Sequence, residues 1–141
     1  MHFQLTLGDW SSQGRDAQAI RYDVFVQEQK VPPELEWDEM DAACLHILAY
    51  DAAGQAVATA RLLPDGHIGR MAVRKAARGR GIGKAMLEAL MQEARKRGDR
   101  CVMLNAQTHA ESFYRCFGFA REGEEFMDAG IPHIRMRHEF G

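Results

Sequence analysis

Three glycines within five residues, Gly79, Gly81 and Gly83, punctuate the middle of this chain. Before them lies a segment of strand character, His67 to Val73. After them the apolar residues recur at helical spacing: Ile82, Ala85, Met86, Ala89, Leu90 and Ala94 share one broad face, while Glu88, Gln92, Glu93 and Lys96 point away. Gly98 closes this helix in the manner of a C-terminal cap. Glycine tolerates backbone angles that other residues avoid and lets a ligand approach the main chain closely. A helix N-terminus adds free N–H groups and a partial positive charge. Together they predict an anion site, with phosphate the usual anion. Arg78, Arg80 and Lys84 supply further positive charge around it.

Two familiar phosphate loops fail on specific positions. A nucleotide P-loop needs GxxxxGK[ST], but Gly83-Lys84 is followed by Ala85, which has no hydroxyl, and Arg78 stands where the first glycine belongs. A dinucleotide fingerprint needs GxGxxG directly after a strand. Here the spacing is GxGxG, and residues 74–78 intervene.

The remainder of the chain bounds the answer. Its 141 residues suit a single domain, 1–141, with one core. A hydrophobic share of 46% and a charged share of 27% are those of an ordinary soluble domain. The net charge of −2 offers no overall basic field, so neither nucleic acid nor an anionic membrane is expected as partner. No run approaches the ~18 apolar residues that span a bilayer. The first residues do not read as a signal peptide. Cys44, Cys101 and Cys116 form no CxxC pair, so no metal site is expected and a cytoplasmic location fits.

Periodicity predicts the order β-α-β-β-β-α-β-α-β-β. Phe3, Leu5 and Leu7 mark a strand, and Ala17, Ile20, Val24 and Phe25 a helix from about Gly14 to Glu28 that Pro32-Pro33 stops. Glu34 to Ala42 is acidic and reads as a loop or a short irregular helix. Strands follow at Cys44–Tyr50 and Ala56–Leu63 around the hairpin Asp51–Gly54, then at His67–Val73 and Cys101–Asn105. A short helix from Ala110 to Phe117 and two strands near Phe119–Phe126 and His133–Phe140 complete the chain. Turn-linked strands should pair antiparallel, and the strand–helix–strand unit through Val73, Ile82 and Val102 should place two strands parallel.

Arg78, Gly81 and Gly83 also satisfy Arg-x-x-Gly-x-Gly. At this point the chain resembles the GNAT superfamily of N-acetyltransferases. Three further segments stand in register with that family: Met71-Ala72-Val73-Arg74 before the turn, Asn105 at the end of the next strand, and Phe113-Tyr114-Arg115-Cys116-Phe117-Gly118-Phe119, which is similar to its FYxxxGF segment. The resemblance implies an α/β fold with a mixed, mostly antiparallel sheet of about six to seven strands flanked by about four helices. It implies acetyl-CoA as co-substrate, held by main-chain groups of Met71, Ala72 and Val73, by the turn Arg78, Gly79, Arg80, Gly81, Ile82, Gly83 and Lys84, and by Asn105 and Tyr114. The first half, with Phe25-Val26-Gln27-Glu28-Gln29-Lys30-Val31-Pro32, Glu36-x-Asp38-x-x-Asp41, His46 and Arg61-Leu62-Leu63-Pro64, looks like a bacterial branch of small predicted acetyltransferases. It is also similar to acyl-homoserine lactone synthases, in which positions matching Arg21, Phe25, Glu36, Asp38, Asp41 and Arg61 shape the amine side.

The implied reaction is acetyl transfer to a primary amine, of a small molecule or of a protein. An alkyl ammonium near pKa ~10.4 is neutral at pH 7 in only roughly one molecule in a few thousand, so a base must assist. Glu28, Glu36, His109 and His133 are candidates, and Tyr114 is the candidate acid for the departing thiolate. Glu36, Asp38 and Arg61 are candidate substrate-binding residues, although an ion-pair network with Arg21 and Asp41 is the simpler reading of so many charges. His46, in an apolar strand, reads as a satisfied core histidine. A non-catalytic acyl-CoA sensor and a lactone-synthase-like enzyme are the alternatives. An exposed late strand could pair two subunits.

Overall fold

The computed structural model describes residues 2–36 and 38–141; Met1, at the N-terminus read above, and Trp37, within the acidic segment, lie outside the described residues. Strand β1 (Phe3–Gly8) leads into helix α1 (Trp10–Arg21). The helix begins four residues earlier than its apolar spacing suggests, because Asp9 caps it: the Asp9 carboxylate accepts the Ser12 N–H at 3.0 Å. Its continuation, Tyr22–Glu28, widens into a π-helix, where the sequence pattern predicted unbroken α-helix. A four-residue helix α2 (Pro33–Glu36) and a 3-10 turn (Glu39–Ala43) occupy the acidic segment.

Strands β2 (Leu45–Asp51), β3 (Ala56–Leu62) and β4 (Ile68–Val73) join β1 in an antiparallel sheet of order β1-β2-β3-β4. After the glycine turn, α3 (Ile82–Lys96) crosses to β5 (Cys101–Gln107). A 3-10 turn (Thr108–Ala110) and α4 (Glu111–Arg115) follow. The expected strand near Phe119–Phe126 resolves into two short ones, β6 (Ala120–Arg121) and β7 (Phe126–Asp128), both paired with the long β8 (Ile131–Glu139), which also pairs with β5. The fold is thus a mixed α/β, GNAT-like arrangement with, among the described residues, eight strands in two four-stranded sheets.

The two sheets meet where sequence reasoning placed a parallel strand pair. β4 and β5 do run parallel, but among the described residues the pairing between them is the bridge His67–Met103, just ahead of β4, beyond which they diverge. The cause lies in β4. Thr59 faces Ala72 and Arg61 faces Gly69, so Arg70 and Met71 together oppose Ala60 as a bulge, with Arg70 in the left-handed region at φ +48°. A bulge bends its strand and raises the local twist.

The main core packs α3, through Met86, Leu87 and Leu90, against Ile47, Ala60, Leu62, Val102, Leu104, Ile134 and Met136 of both sheets. A smaller core sets Ala17, Ile20 and Val24 against Leu48 and Ala72 on the opposite face of the first sheet. The helices α1 and α3 therefore clamp the first sheet on both faces, and α3 packs against both sheets across the split.

Candidate active site

The splayed end of β4 is exposed by simple alternation. The Arg74 N–H donates to Val57 O on β3 at 2.8 Å, so the N–H and C=O of Val73 point to the other edge, from which β5 has withdrawn. These are main-chain groups without a sheet partner at the mouth of a cleft. Directly beyond them comes the glycine turn. Gly79 and Gly81 have φ of +78° and +80°, and a Cβ on either would meet no atom within 4 Å, so the turn faces open space. Gly81 is the N-cap of α3 and no side chain caps it. Among the described residues, the N–H groups of Gly81, Ile82, Gly83 and Lys84 have no hydrogen-bond partner. A left-handed cap with four free N–H groups, backed by the helix dipole, fits a pyrophosphate.

The turn is anchored from behind. Gly83 packs within ordinary contact of Phe113 and Val73: a Cβ there would lie 3.8 Å from Phe113 Cζ and 3.9 Å from Val73 Cγ2. Next to Phe113, the Tyr114 hydroxyl reaches β4 and contacts Met71 Sδ at 3.9 Å. Burial pushes the Tyr114 phenol up to about 12, so it carries its proton at neutral pH. The FYxxxGF segment thereby stands against the bulged strand and the turn at once, which the sequence separation of these parts conceals.

Arg78 does not extend toward the turn's open side. Its Nε donates to Val73 O at 2.9 Å, and its Nη1 and Nη2 donate to both oxygens of Glu28 at 2.6 and 2.7 Å. The expectation that Arg78 adds charge beside the phosphates is corrected accordingly: its guanidinium is committed, and Arg80 and Lys84 are the turn's remaining cations. Glu28 changes with it. The hydrogen bonds from Arg78 hold its carboxylate below the usual range, which makes it a weaker base than the sequence suggested. The neighbouring Gln29 accepts from Gln107 Nε2 at 2.9 Å at the end of β5. The end of the π-helix therefore straps across the mouth of the cleft, from Val73 on β4 through Arg78, Glu28 and Gln29 to Gln107 on β5. Gln107 carried no signal in the sequence, and Gln29 only its place in the segment that resembles the small acetyltransferases.

Glu36, Asp38 and Arg61 lie in an ion-pair network beneath the acidic segment. Arg21 pairs with Glu36 and donates to both oxygens of Asp41 at 2.9 and 3.0 Å. Arg61 pairs with Asp41 at 2.8 Å and with Asp38 at 2.6 Å. This is the network reading of these residues; the charges expected to bind substrate answer one another instead. His46 Nε2 donates to Asp41 O, 2.8 Å away, as a satisfied core histidine would.

Of the remaining candidates, Asn105 is exposed on β5, opposite Arg135 in the ladder. His109 is exposed on the turn before α4. His133 is buried on β8 opposite Gln107, stacked on Phe126, with Nδ1 2.7 Å from Ile131 O. A carbonyl can only accept, so Nδ1 carries the hydrogen and Nε2 the lone pair. Among the described residues, no group of three or more His, Cys, Asp or Glu side chains is placed to hold a metal, and no helix is long and apolar enough to cross a membrane.

A split mixed sheet, a free strand edge at the split and an uncapped glycine turn define a GNAT-fold, acyl-coenzyme-A-dependent acyltransferase. Comparison with known proteins agrees. The chain belongs to the acetyltransferase (GNAT) domain family, whose profile matches residues 10–140. It is 40% identical over 125 residues to YjcF of Bacillus subtilis, described as an uncharacterized N-acetyltransferase, covering 86% of this chain and 89% of that one. An acyl-CoA N-acyltransferase from Pseudomonas aeruginosa superposes with a TM-score of 0.88 at 33% identity, over 97% of this chain and 99% of its own. ElaA of Escherichia coli gives a TM-score of 0.85 at 32% identity, over 98% of this chain and all of its own. The family's chemistry is acyl transfer from acyl-coenzyme A to an amine.

Proposed function

We propose that the protein transfers an acetyl group from acetyl-CoA to a primary amine by direct attack of the amine on the thioester, and that it does so in the cytoplasm. The observation that carries this reading is the convergence of the uncapped Gly81 turn, the free edge of Val73 and the Tyr114 hydroxyl on one cleft.

The N–H groups of Gly81 to Lys84 would hold the pyrophosphate, and the main-chain edge of β4 from Met71 to Val73, where the Val73 N–H has no sheet partner, the pantetheine arm. When bound, the coenzyme supplies the activated acyl carbon. The Val73 N–H, fixed in the strand, is the donor placed to stabilise charge on the acyl oxygen. His133 Nε2, which carries the lone pair in this tautomer, takes a proton from the substrate ammonium, and the neutral amine so formed attacks the thioester. Tyr114 holds its proton at the hydroxyl and acts on the departing sulfur. With the phenol at about 12 and an ordinary thiol at ~8.5, complete transfer of that proton is uphill by about 5 kcal/mol. Tyr114 therefore serves mainly as a hydrogen-bond donor to the sulfur, and solvent completes the protonation.

The test is thiol release from acetyl-CoA with a panel of polyamines, amino sugars, amino acids and peptides, for the native protein and for Tyr114→Phe. Turnover on at least one amine is expected, with kcat reduced ten-fold or more in the variant. Tight coenzyme binding with no turnover on any amine would point to a non-catalytic sensor and overturn the reading.

A further inference from the structure

The bulge in β4 has a second consequence, on the face of the sheet opposite α3. Arg70 is held at φ +48°, a conformation unfavourable for a residue with a side chain. In an unbulged strand, alternation would turn Arg70 toward α3, since Ile68 packs in the α3 core. The bulge turns it to the α1 side instead, where its Nη2 lies 3.6 Å from Asp38 Oδ2. That carboxylate oxygen is already engaged by Arg61 at 2.6 Å. Arg70 makes no hydrogen bond to any described residue, and its Nε is shielded from solvent without a partner. The arginines around it are more fully engaged: Arg21 and Arg78 donate from three nitrogens each and Arg74 from two, and Arg61 donates from two although its Nε, like that of Arg70, is buried without a partner. Burial, together with repulsion from Arg61 and Arg21, makes the Arg70 cation costly where it stands.

A strained backbone, a partly buried cation and uncommitted donors coincide at one residue. Strain of this kind persists where the surrounding structure imposes it, and such residues cluster at ligand sites. The location is informative. Counted on from the parallel bridge His67–Met103, Gly69 and Arg70 follow at the root of the split as Asn105 does on β5, three residues before Val73. Asn105 is exposed and faces Arg135, so this part of the second sheet offers a polar face beside Arg70.

We infer that Arg70 is a specificity-determining residue that binds a carboxylate on the amine acceptor, so that the substrates are amines bearing a carboxylate, such as α-amino acids or peptides whose own carboxylate lies close to the amine. This rests on the amine-acyltransferase reading and narrows it. A guanidinium presents its donors as a planar fork that matches a carboxylate. A monoanion suits the site better than a phosphate dianion, because Asp38 already stands beside Arg70 and leaves less than one full positive charge to be answered.

The experiment uses matched pairs: α-amino acids and their carboxamides, with O-phosphoethanolamine as the phosphate-bearing arm. Binding is measured by NMR titration of the coenzyme-A-saturated protein, and turnover by thiol release from acetyl-CoA. The native protein is expected to bind carboxylates at least ten-fold more tightly than carboxamides. Arg70→Gln should abolish the difference through KM with little change in kcat, and Arg70→Lys should retain part of it. Arg70→Gly, which relieves the positive φ, keeps the test valid if Arg70→Gln fails to fold. Equal binding of both members of each pair, no binding of either, a preference for the phosphate, or a preference that survives loss of the guanidinium would overturn the inference. Thiol release on neutral amines alone would overturn it while sustaining acyl transfer. Carboxylate binding that depends on Arg70 without any thiol release would sustain it while overturning acyl transfer.

Discussion

At Gly81 the requirements of backbone and ligand coincide. Its φ of +80° disfavours any side chain, and the space where a Cβ would project is empty. A valine there faces left-handed strain of roughly 1–2 kcal/mol and fills the approach to the four free N–H groups. Gly81→Val should therefore weaken coenzyme A binding at least ten-fold by calorimetry, with melting lowered by only a few degrees. Unchanged affinity would show that the pyrophosphate lies elsewhere. Gly81 was legible in the sequence because glycine itself is the signal. Arg70 was not, since no residue type announces a positive φ at a bulge; the register of β3 against β4 places it there.

Among the elements, the π-helix deserves comparison with the α-helix that periodicity predicted. Widening the last turns of α1 carries Glu28 and Gln29 over the cleft, where they tie Arg78 and Gln107. Glu28 then acts as a positioning residue for the glycine turn. Glu28→Gln breaks the bidentate pair, and because the pair is exposed its removal should cost less than about 1 kcal/mol of stability. The KM for acetyl-CoA should rise several-fold, with kcat changed less than two-fold and the pH–rate profile unmoved. A base would behave differently, with kcat falling roughly 10²-fold or more and the acidic limb of the profile lost. That second pattern is expected for His133→Gln; finding it in Glu28→Gln would reverse the two assignments.

For the molecule as a whole, the buried network joins α1, the acidic segment and the first sheet, and His46 is its neutral member. Burial holds the His46 pKa below the ordinary histidine value, and Arg21 and Arg61 act in the same direction. The unfolded chain takes up this proton near pH ~6.5 while the folded chain does not. Below that pH the unfolded state binds more protons, so stability is full above about 6.5 and falls as pH decreases toward the folded-state pKa. The slope from one such group cannot exceed about 1.4 kcal/mol per pH unit. Urea midpoints should fall between pH 7.5 and 5.5, and His46→Gln should flatten that fall. Parallel curves for the two proteins would remove His46 from this account.

Most elements and the glycine turn were written in local patterns: alternation in β1 to β3, helical spacing in α3, glycines at the junction, and the spacing of Phe113-Tyr114 from Arg78. Such signals need only neighbouring residues, so the chain order carries them. What local patterns could not convey were relations between distant segments. The parting of β4 from β5, the bulge that creates it, the strap from Glu28 to Gln107 and the redirection of Arg70 arise from pairing register and packing across dozens of residues. The glycine turn consequently pointed to the donor from sequence alone, whereas the surroundings of Glu28, Arg78 and Arg70 follow from which segments the fold brings together.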